Sequence, residues 1–190
     1  MKIIWQGSDS LFLVRFPQQL KRTKIFYVLA LRAFAWLSKL FVQQNYACGS
    51  LVESNLQKFG LKKIVRFEDR LSYPDKITKV PHEGFNVLYY YPAKDTKFNR
   101  WLYGYNEFID IITALSPIVD IHFIVVDGSH DLSKIYPEID LLIRPCNHDG
   151  HPRMVDECKL NDIPYIWTAQ NPDAMTFVEQ ILREYGKIFK

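Results

Sequence analysis

The sequence contains little cysteine: three residues in 190, at positions 48, 146 and 158. A small, odd and widely spaced set argues against a disulfide-stabilised scaffold and is typical of proteins in a reducing compartment. No secretory leader opens the chain, because residues 1–5 run directly into a polar stretch. We therefore expect a cytoplasmic protein.

Long apolar runs and strong charge are missing as well. The longest apolar run, residues 25–37, is interrupted by Arg32, and it is shorter than the roughly 20 residues that cross a bilayer. A net charge of +3 gives no whole-molecule attraction to nucleic acid. What remains is an ordinary globular composition, with 48% hydrophobic and 24% charged residues, in a chain long enough to bury a core.

The second half of the chain alternates apolar strands with helices. The pattern predicts strands at 85–91, 121–127, 139–143 and 163–167, and helices at 101–115, 152–160 and 172–185. This alternation indicates an α/β domain over residues 83–190: a Rossmann-like parallel sheet with helices on both faces. Ligands of such sheets bind beyond the carboxyl ends of the strands, where the strand order reverses. The loops after Tyr91 and after Ile143 are therefore the candidate site.

The first eighty residues are less regular and predict a separate, mainly helical part. We expect helices at 25–44 and 50–59, short strands at 2–5 and 64–67, and a linker at 73–84. The first helix carries many aromatic residues together with Arg32 and Lys39. Such a helix either packs in the core, which we favour, or lies on a membrane surface.

The loop that follows the strand at 139–143 carries the most informative residues. A strand that leads through a glycine-containing loop into a helix presents free backbone N–H groups and the positive end of the helix dipole. Asp149 stands in this loop and Glu157 lies eight positions further on, in the helix. Two carboxylates beside an anion site suit a ligand that has both phosphate and hydroxyl groups, such as a nucleotide sugar.

Residues 148–166 resemble the signature of retaining GT-B glycosyltransferases of the family-four type, which is roughly P-S-x-x-E-G-x-P-x-x-x-x-E-A-x-x-x-G-x-P-V. The matching positions are Pro145, Gly150, Pro152, Glu157 and Pro164, while Asp149, Cys158 and Asp162 replace the family's first Glu, its Ala and its second Gly. Tyr91-Pro92 and Tyr103-Gly104 resemble the family's first loop and its Lys-Gly element. The resemblance covers about residues 83–185, the donor-binding half. Residues 1–80 look like a truncated acceptor-binding half.

The resemblance implies a role for several residues. Glu157 would hold the ribose hydroxyls of the nucleotide, and Asp149 would contact the donor sugar, with the backbone of Gly150 and His151 near sugar and phosphate. A basic residue of the 92–104 loop would neutralise the leaving diphosphate, Arg100 first and Lys97 second.

The resemblance also implies the activity. The chain would transfer a hexosyl group from a nucleotide sugar to an acceptor hydroxyl, with retention and without a metal or other cofactor. It departs from the family where Tyr103 replaces the Lys beside Gly104, and where a strand–helix unit between Asp127 and Ile139 is reduced. These departures concern catalytic competence more than the fold. The shortened acceptor half leaves open a catalytically silent or split donor-binding subunit that needs a partner chain or a second copy. A third alternative is a generic nucleotide-binding or structural α/β domain.

Several residues have a plain interpretation beside the functional one. Glu157 is equally typical of a solvated helix carboxylate, and Asp149 of a helix-capping residue. Arg144 and Arg153 border the loop and suit either phosphate contact or surface salt bridges. Four further residues are of zinc-ligating types but lack a CxxC pair, so we expect no metal: Cys146, His148, His151 and Cys158.

Overall fold

The computed structural model describes residues 2–5, 13, 22–41, 44–47, 50–66, 76–149, 152–168 and 170–188. The chain divides into two compact units. The first comprises Met1–Leu71 with His148–His151, and the second comprises Ser72–Asn147 with Pro152–Lys190. Each unit contains its own parallel sheet.

The described part of the first unit contains a three-stranded sheet and two helices. In chain order these are β1 (Lys2–Trp5), α1 (Arg22–Phe41), β2 (Gln44–Ala47), α2 (Ser50–Lys58) and β3 (Ile64–Arg66). The strands lie in the order β1-β2-β3, with Ile3 opposite Asn45 and Tyr46 opposite Val65. Leu13, Ala35, Ala47, Val52, Leu56 and Leu61 form its core.

The strand β2 was not predicted from the sequence, which suggested that helix α1 continues to about Gln44. The helix ends at Phe41, and Gln44–Ala47 forms the middle strand of the sheet. Asn45 and Ala47 are buried there, and the Asn45 amide donates to the carbonyl of Lys62. Four residues of mixed polarity give no β pattern by themselves, so the strand owes its existence to its two neighbours.

The second unit contains a four-stranded sheet in the order β5-β4-β6-β7. Its elements are β4 (Phe85–Tyr90), α3 (Lys97–Leu102), α4 (Tyr105–Leu115), β5 (Ile121–Val126), α5 (Leu132–Ile135), a 3₁₀ turn (Tyr136–Glu138), β6 (Leu141–Pro145), α6 (Arg153–Leu160), β7 (Tyr165–Thr168) and α7 (Ala174–Ile188). All strand pairs are parallel. The predicted α/β class is confirmed.

Hydrophobic cores lie on both faces of this sheet. On one face Val87, Tyr89 and Ile143 pack with residues of α4 and α7, and on the other Leu88 and Leu142 pack with α6 and the 3₁₀ turn. The central strands β4 and β6 are therefore covered on both sides, which explains their nearly unbroken apolar sequences.

Two connections between strands differ from those of a regular α/β repeat: one helix is interrupted and one helical connection is short. The predicted helix 101–115 is interrupted, because Gly104 adopts a left-handed conformation with φ +61° and separates α3 from α4. Between β5 and β6 the chain forms only the one-turn helix α5 and the 3₁₀ turn. The reduced strand–helix unit expected at this point is confirmed.

The strand order reverses between β4 and β6. From β4 the chain crosses to β5 on one side of the sheet, and it then returns to place β6 on the other side of β4. The carboxyl ends of β4 and β6 are thus neighbours, and the crevice beyond them is the ordinary ligand position of an open parallel sheet.

Candidate functional site

The loops that leave β4 and β6 are joined by hydrogen bonds. The backbone N–H of Asn147, just after β6, donates to the carbonyl of Leu102 at 3.0 Å, and its side-chain amide donates to the carbonyl of Trp101 at 2.9 Å. The short helix α3 is therefore held against the end of β6. Both loops that we predicted from the sequence lie at this single edge.

Gly104 permits the closest approach between the two loops. A Cβ atom added to it would lie 1.7 Å from the carbonyl oxygen of Pro145, the last residue of β6. Its left-handed φ is a second reason for glycine, because L side chains rarely adopt it. The glycine of the family's Lys-Gly element thus has a structural explanation in this chain.

Tyr103, at the family's lysine position, is a packing residue here. Its ring lies 5.4 Å from that of Tyr90 in a tilted arrangement, and its carbonyl accepts a hydrogen bond from the Tyr89 hydroxyl at 2.9 Å. Tyr89 in turn stacks on Phe108, with ring centroids 3.7 Å apart. This position therefore supplies aromatic packing, and positive charge must come from another residue.

Arg100 is held in an ion pair on the surface of the same loop. Its Nε donates to Oδ1 of Asp95 at 2.8 Å, and its Nη2 contacts the other carboxylate oxygen. The Tyr91 hydroxyl donates to the same carboxylate at 2.6 Å. These hydrogen bonds, first from Arg100 and then from Tyr91, lower the pKa of Asp95 well below its usual range. The guanidinium also lies 5.1 Å from the ring of Tyr105.

The pairing of Arg100 with Asp95 was not recognised in the sequence. The two residues are five positions apart across the start of α3, where Thr96 caps the helix, so no helical i,i+4 pattern connects them. Lys97 lies next to them on α3 and is exposed. Among the described residues no ion pair of Lys97 is found, whereas Arg100 is occupied.

Glu157 is buried, and its side chain is only 6% exposed. Its Oε2 accepts a hydrogen bond from the Tyr136 hydroxyl at 2.7 Å, and its Oε1 accepts one from Nε of Arg153 at 2.7 Å. The interpretation as a solvated helix carboxylate is therefore wrong. A role in ribose binding stays a prediction, and it would require a hydroxyl to share an oxygen that already has a donor.

Tyr136 is the partner of Glu157 that sequence analysis missed. It lies 21 positions away in the 3₁₀ turn before β6, and no local pattern connects the two residues. Burial, followed by the hydrogen bond to Glu157, raises the pKa of the Tyr136 hydroxyl far above its ordinary value. The phenol consequently stays protonated and donates to the carboxylate at neutral pH.

Arg144 is buried on β6 rather than exposed at the loop. Its guanidinium lies 5.8 Å from the ring of Tyr90, and its Nη1 is 3.4 Å from the sulfur of Met154. Arg144 therefore does not lie at the surface, where the salt-bridge interpretation placed it. Arg153, on the other hand, forms the partly exposed ion pair with Glu157 that this interpretation predicts.

The remaining loop residues are only partly described. Asp149 is partly buried and groups with the first unit, whereas Glu157 belongs to the second. The N-cap position of α6 is occupied by Pro152, so Asp149 does not cap that helix directly. Gly150 and His151, predicted to contact sugar and phosphate, lie outside the described residues, and their roles stay predictions.

The zinc interpretation receives no support from the part of the chain that the structure covers, which omits His151. No group of three or more potential metal-ligating residues occurs there. Cys158 is a buried residue of α6 in the hydrophobic core, and burial raises the pKa of its thiol to about 12. A protonated thiol is a poor metal ligand.

The described residues also line one surface depression, of about 550 Å³, away from these loops. Its lining includes Gly84 just before β4, Asp140 just before β6, and Ile188 at the end of α7. These positions mark the amino edge of the sheet, opposite the edge that carries the predicted site. Within that lining, His82 and Asp140 form a largely buried pair at 3.4 Å.

The comparisons with known proteins identify the fold. No protein-family model matches the sequence, and no curated protein is significantly similar to it. Among solved structures, the lipopolysaccharide outer core galactosyltransferase WaaB aligns with TM-score 0.56 and 11% identity over 80% of this chain and 55% of its own. A TarM mutant of S. aureus, crystallised with fondaparinux, alpha-GlcNAc-glycerol and UDP, aligns with TM-score 0.62 and 8% identity over 97% of this chain and 43% of its own.

The fold is that of GT-B glycosyltransferases. The resemblance found in the sequence is thereby confirmed at the level of the fold. The chain spans about half the length of these two neighbours. At identities this low, retention, donor and catalytic residues do not follow from the likeness.

Proposed function

We propose that this protein is a GT-B-type glycosyltransferase that transfers a sugar from a nucleotide sugar to an acceptor hydroxyl, with retention and without a metal. The observation that supports it most is the content of the switch point between β4 and β6. A cation-bearing loop leaves one strand, and a glycine-containing loop leads from the other into helix α6. In open parallel sheets such as those of the GT-B fold, nucleotides usually bind at this edge.

The charges of the first loop suit the leaving diphosphate. Lys97 is exposed and Arg100 is about half exposed, so both side chains reach solvent beyond the end of β4. Fixed positive charge beside a leaving diphosphate stabilises the transition state more than the ground state, because the negative charge develops there as the glycosidic bond breaks. In the proposed mechanism Arg100 leaves its ion pair with Asp95 and pairs with the diphosphate instead. Lys97 adds a second positive charge beside the diphosphate.

The carboxylates have separate tasks in this proposal. Glu157 anchors the start of α6 through its hydrogen bonds with Arg153 and Tyr136. Each of its carboxylate oxygens has a further lone pair, and one of these accepts a hydrogen bond from a ribose hydroxyl. Asp149 contacts the donor sugar. The bond between the anomeric carbon of the sugar and the diphosphate oxygen breaks, and the acceptor oxygen forms the new bond to that carbon on the same face. The proton of the acceptor hydroxyl passes to the departing diphosphate, which keeps the electron pair of the broken bond.

A thermal-shift screen against UDP-, GDP- and ADP-sugars tests the binding step. A donor present at one hundred times its dissociation constant stabilises the protein by about 2.7 kcal/mol. Turnover is then followed by release of the nucleoside diphosphate, with and without EDTA, and the anomeric configuration of the product is read by NMR. A product of inverted configuration, or activity abolished by EDTA, contradicts the corresponding part of the proposal.

Variants locate the site. Arg100→Ala should lower turnover by a factor of 10²–10³, the usual range for a charge-stabilising group. Lys187→Ala is the matched control: it too removes a surface cation that pairs with a carboxylate, Glu184, but it lies beside Ile188 at the opposite edge. Equal turnover in both variants would reject the assignment of Arg100.

A second function has its own support: a binding subunit that holds the nucleotide sugar but does not turn it over alone. The ion pair of Arg100 with Asp95, and the packing role of Tyr103 at the family's lysine position, both reduce the positive charge available for catalysis. Calorimetry would then show donor binding, while nucleoside diphosphate release would appear only after a partner chain is added or a second copy associates. Turnover by a proven monomer would exclude this version.

A further inference from the structure

Helix α1 carries a continuous apolar surface on its outer side. Seven of its exposed residues follow one another at spacings of one or three positions, which places them on one side of a helix. We call them the outer face: Phe26, Leu29, Ala30, Ala33, Trp36, Leu37 and Leu40. Phe26 is 76% exposed and Leu40 is 68% exposed. The face extends over about 21 Å, given a rise of about 1.5 Å per residue.

The opposite side of α1 already holds the helix in the first unit. Val28 and Ala35 are fully buried, Ser38 is nearly so, and Leu31 packs against the core. The inner side of α1 therefore packs in the core of the first unit. Since the inner side suffices to anchor the helix, the apolar outer face is not explained by the fold of the unit. A soluble helix ordinarily carries polar residues at such positions.

The charge of this part of the chain has a single sign. Between Asp9 and Glu53 the sequence contains no acidic residue, but it contains six basic ones: Arg15, Lys21, Arg22, Lys24, Arg32 and Lys39. Arg32 and Lys39 are seven positions apart on α1, so they lie along one border of the outer face. The charges beside this apolar surface are thus all positive, which complements a bilayer surface with anionic headgroups over an apolar interior.

We propose that the outer face of α1 docks on an anionic lipid bilayer, with the helix lying in the plane of the interface. Phe26, Leu29 and Leu40 would enter the boundary between headgroups and acyl chains, where Trp36 is also favoured. The basic residues of this segment would add attraction to anionic headgroups near the surface. Among them, Lys39 acts through its charge alone, because its Nζ donates to the carbonyl of Phe59 at 2.8 Å. None of the described helices combines the length and the hydrophobicity that a bilayer-spanning segment needs.

The charge pattern favours a bilayer over a second copy of this chain. In a symmetric dimer the same face meets itself, so the cations that border one α1 would meet those of the other. This segment offers no acidic residue to compensate them. The docking surface lies in the first unit, on residues that take no part in the proposed nucleotide-sugar site, so it is independent of that proposal.

Vesicle binding tests the proposal. The full chain is sedimented with vesicles of phosphatidylcholine alone, and with vesicles that also contain phosphatidylglycerol, at low and at high salt. Binding should occur with the anionic vesicles and weaken as salt screens the charges. Phe26→Asp and Leu40→Asp should each weaken binding on the order of tenfold or more, because each removes one inserted apolar side chain. Lipids brominated in the acyl chains should quench the wild-type tryptophan fluorescence, and Trp36→Phe should reduce that quenching.

Val119→Asp is the matched control, since Val119 is 83% exposed in the second unit and the variant makes the same change of charge. It should bind vesicles as the wild type does. Circular dichroism checks that all variants keep the fold. Absence of wild-type binding at low salt, or equal binding to both kinds of vesicle, would overturn the proposal. A lipid-free dimer, detected by sedimentation velocity and dissociated by Phe26→Asp, would reassign the face to contact between copies.

Discussion

The two loops at the carboxyl edge of the second sheet hold their charged residues in opposite ways. After β4, Arg100 forms an ion pair with Asp95 that is about half exposed to solvent. After β6, Glu157 is buried between Tyr136 and Arg153. An exposed pair contributes little to stability and exchanges partners easily, whereas a buried carboxylate is costly to leave without its donors. The first loop is therefore suited to respond to a ligand, and the second to keep its geometry without one.

The largest effect is expected where the two loops meet. Gly104→Ala places a Cβ atom 1.7 Å from the carbonyl oxygen of Pro145, in a left-handed conformation. The backbone must move, and we expect a loss of at least about 3 kcal/mol in the free energy of unfolding, measured by urea denaturation. Gly186→Ala is the control, because nothing lies within 4 Å of its Cβ. Because Gly186 lies within helix α7, its replacement by alanine should raise the free energy of unfolding by about 0.5–1 kcal/mol.

The second-largest effect on stability is expected at the buried carboxylate of Glu157. Glu157→Ala removes the acceptor of both the Tyr136 hydroxyl and the Arg153 guanidinium, and we expect a loss of about 2 kcal/mol in the free energy of unfolding. Glu179→Ala, at an exposed carboxylate on α7, should change stability by less than about 0.5 kcal/mol. Equal losses in the two variants would show that the contacts of Glu157 do not stabilise the fold.

Helix α6, which follows the second loop, should also respond to alkaline pH through its buried residue Cys158. Burial raises the pKa of this thiol from about 9 to about 12 in the folded protein. Because the folded-state pKa is the higher one, the contribution is complete below about pH 9 and is lost as the pH rises toward 12. Relative to Cys158→Ala, wild-type stability should fall by about 1 kcal/mol between pH 8 and pH 10. Parallel pH profiles of the two proteins would contradict this, and urea denaturation at each pH measures it.

The smallest effect on stability, and the clearest on binding, is expected in the first loop. Asp95→Asn releases Arg100 from its pair and should raise the affinity for UDP a fewfold, while Arg100→Ala should lower it. Both should change the free energy of unfolding by less than about 1 kcal/mol, as is usual for exposed pairs. Calorimetry with UDP and urea denaturation measure the two quantities. A loss of affinity in Asp95→Asn would mean that the ion pair, rather than a released Arg100, forms the binding surface.

Much of the second unit could be predicted because its elements have strong local patterns. Strands β4 to β7 and helices α4, α6 and α7 are long or apolar enough for periodicity to show them, with ends displaced by at most three residues except for the start of α4. Strand β2 was missed because its four residues carry no such pattern. The break between α3 and α4 was missed because it depends on the approach of Gly104 to Pro145, which lie 41 positions apart in the sequence.

The alternation of strands and helices, the edge at which a ligand would bind, and the resemblance to GT-B enzymes can be predicted without a structure, because they depend on local periodicity and on motif spacing. The folded protein was needed to show that Glu157 is buried against Tyr136, that Arg100 is paired with Asp95, and that α1 presents an apolar outer face. Burial and pairing depend on distances between segments that the chain brings together only when it folds. No pattern within one segment contains that information.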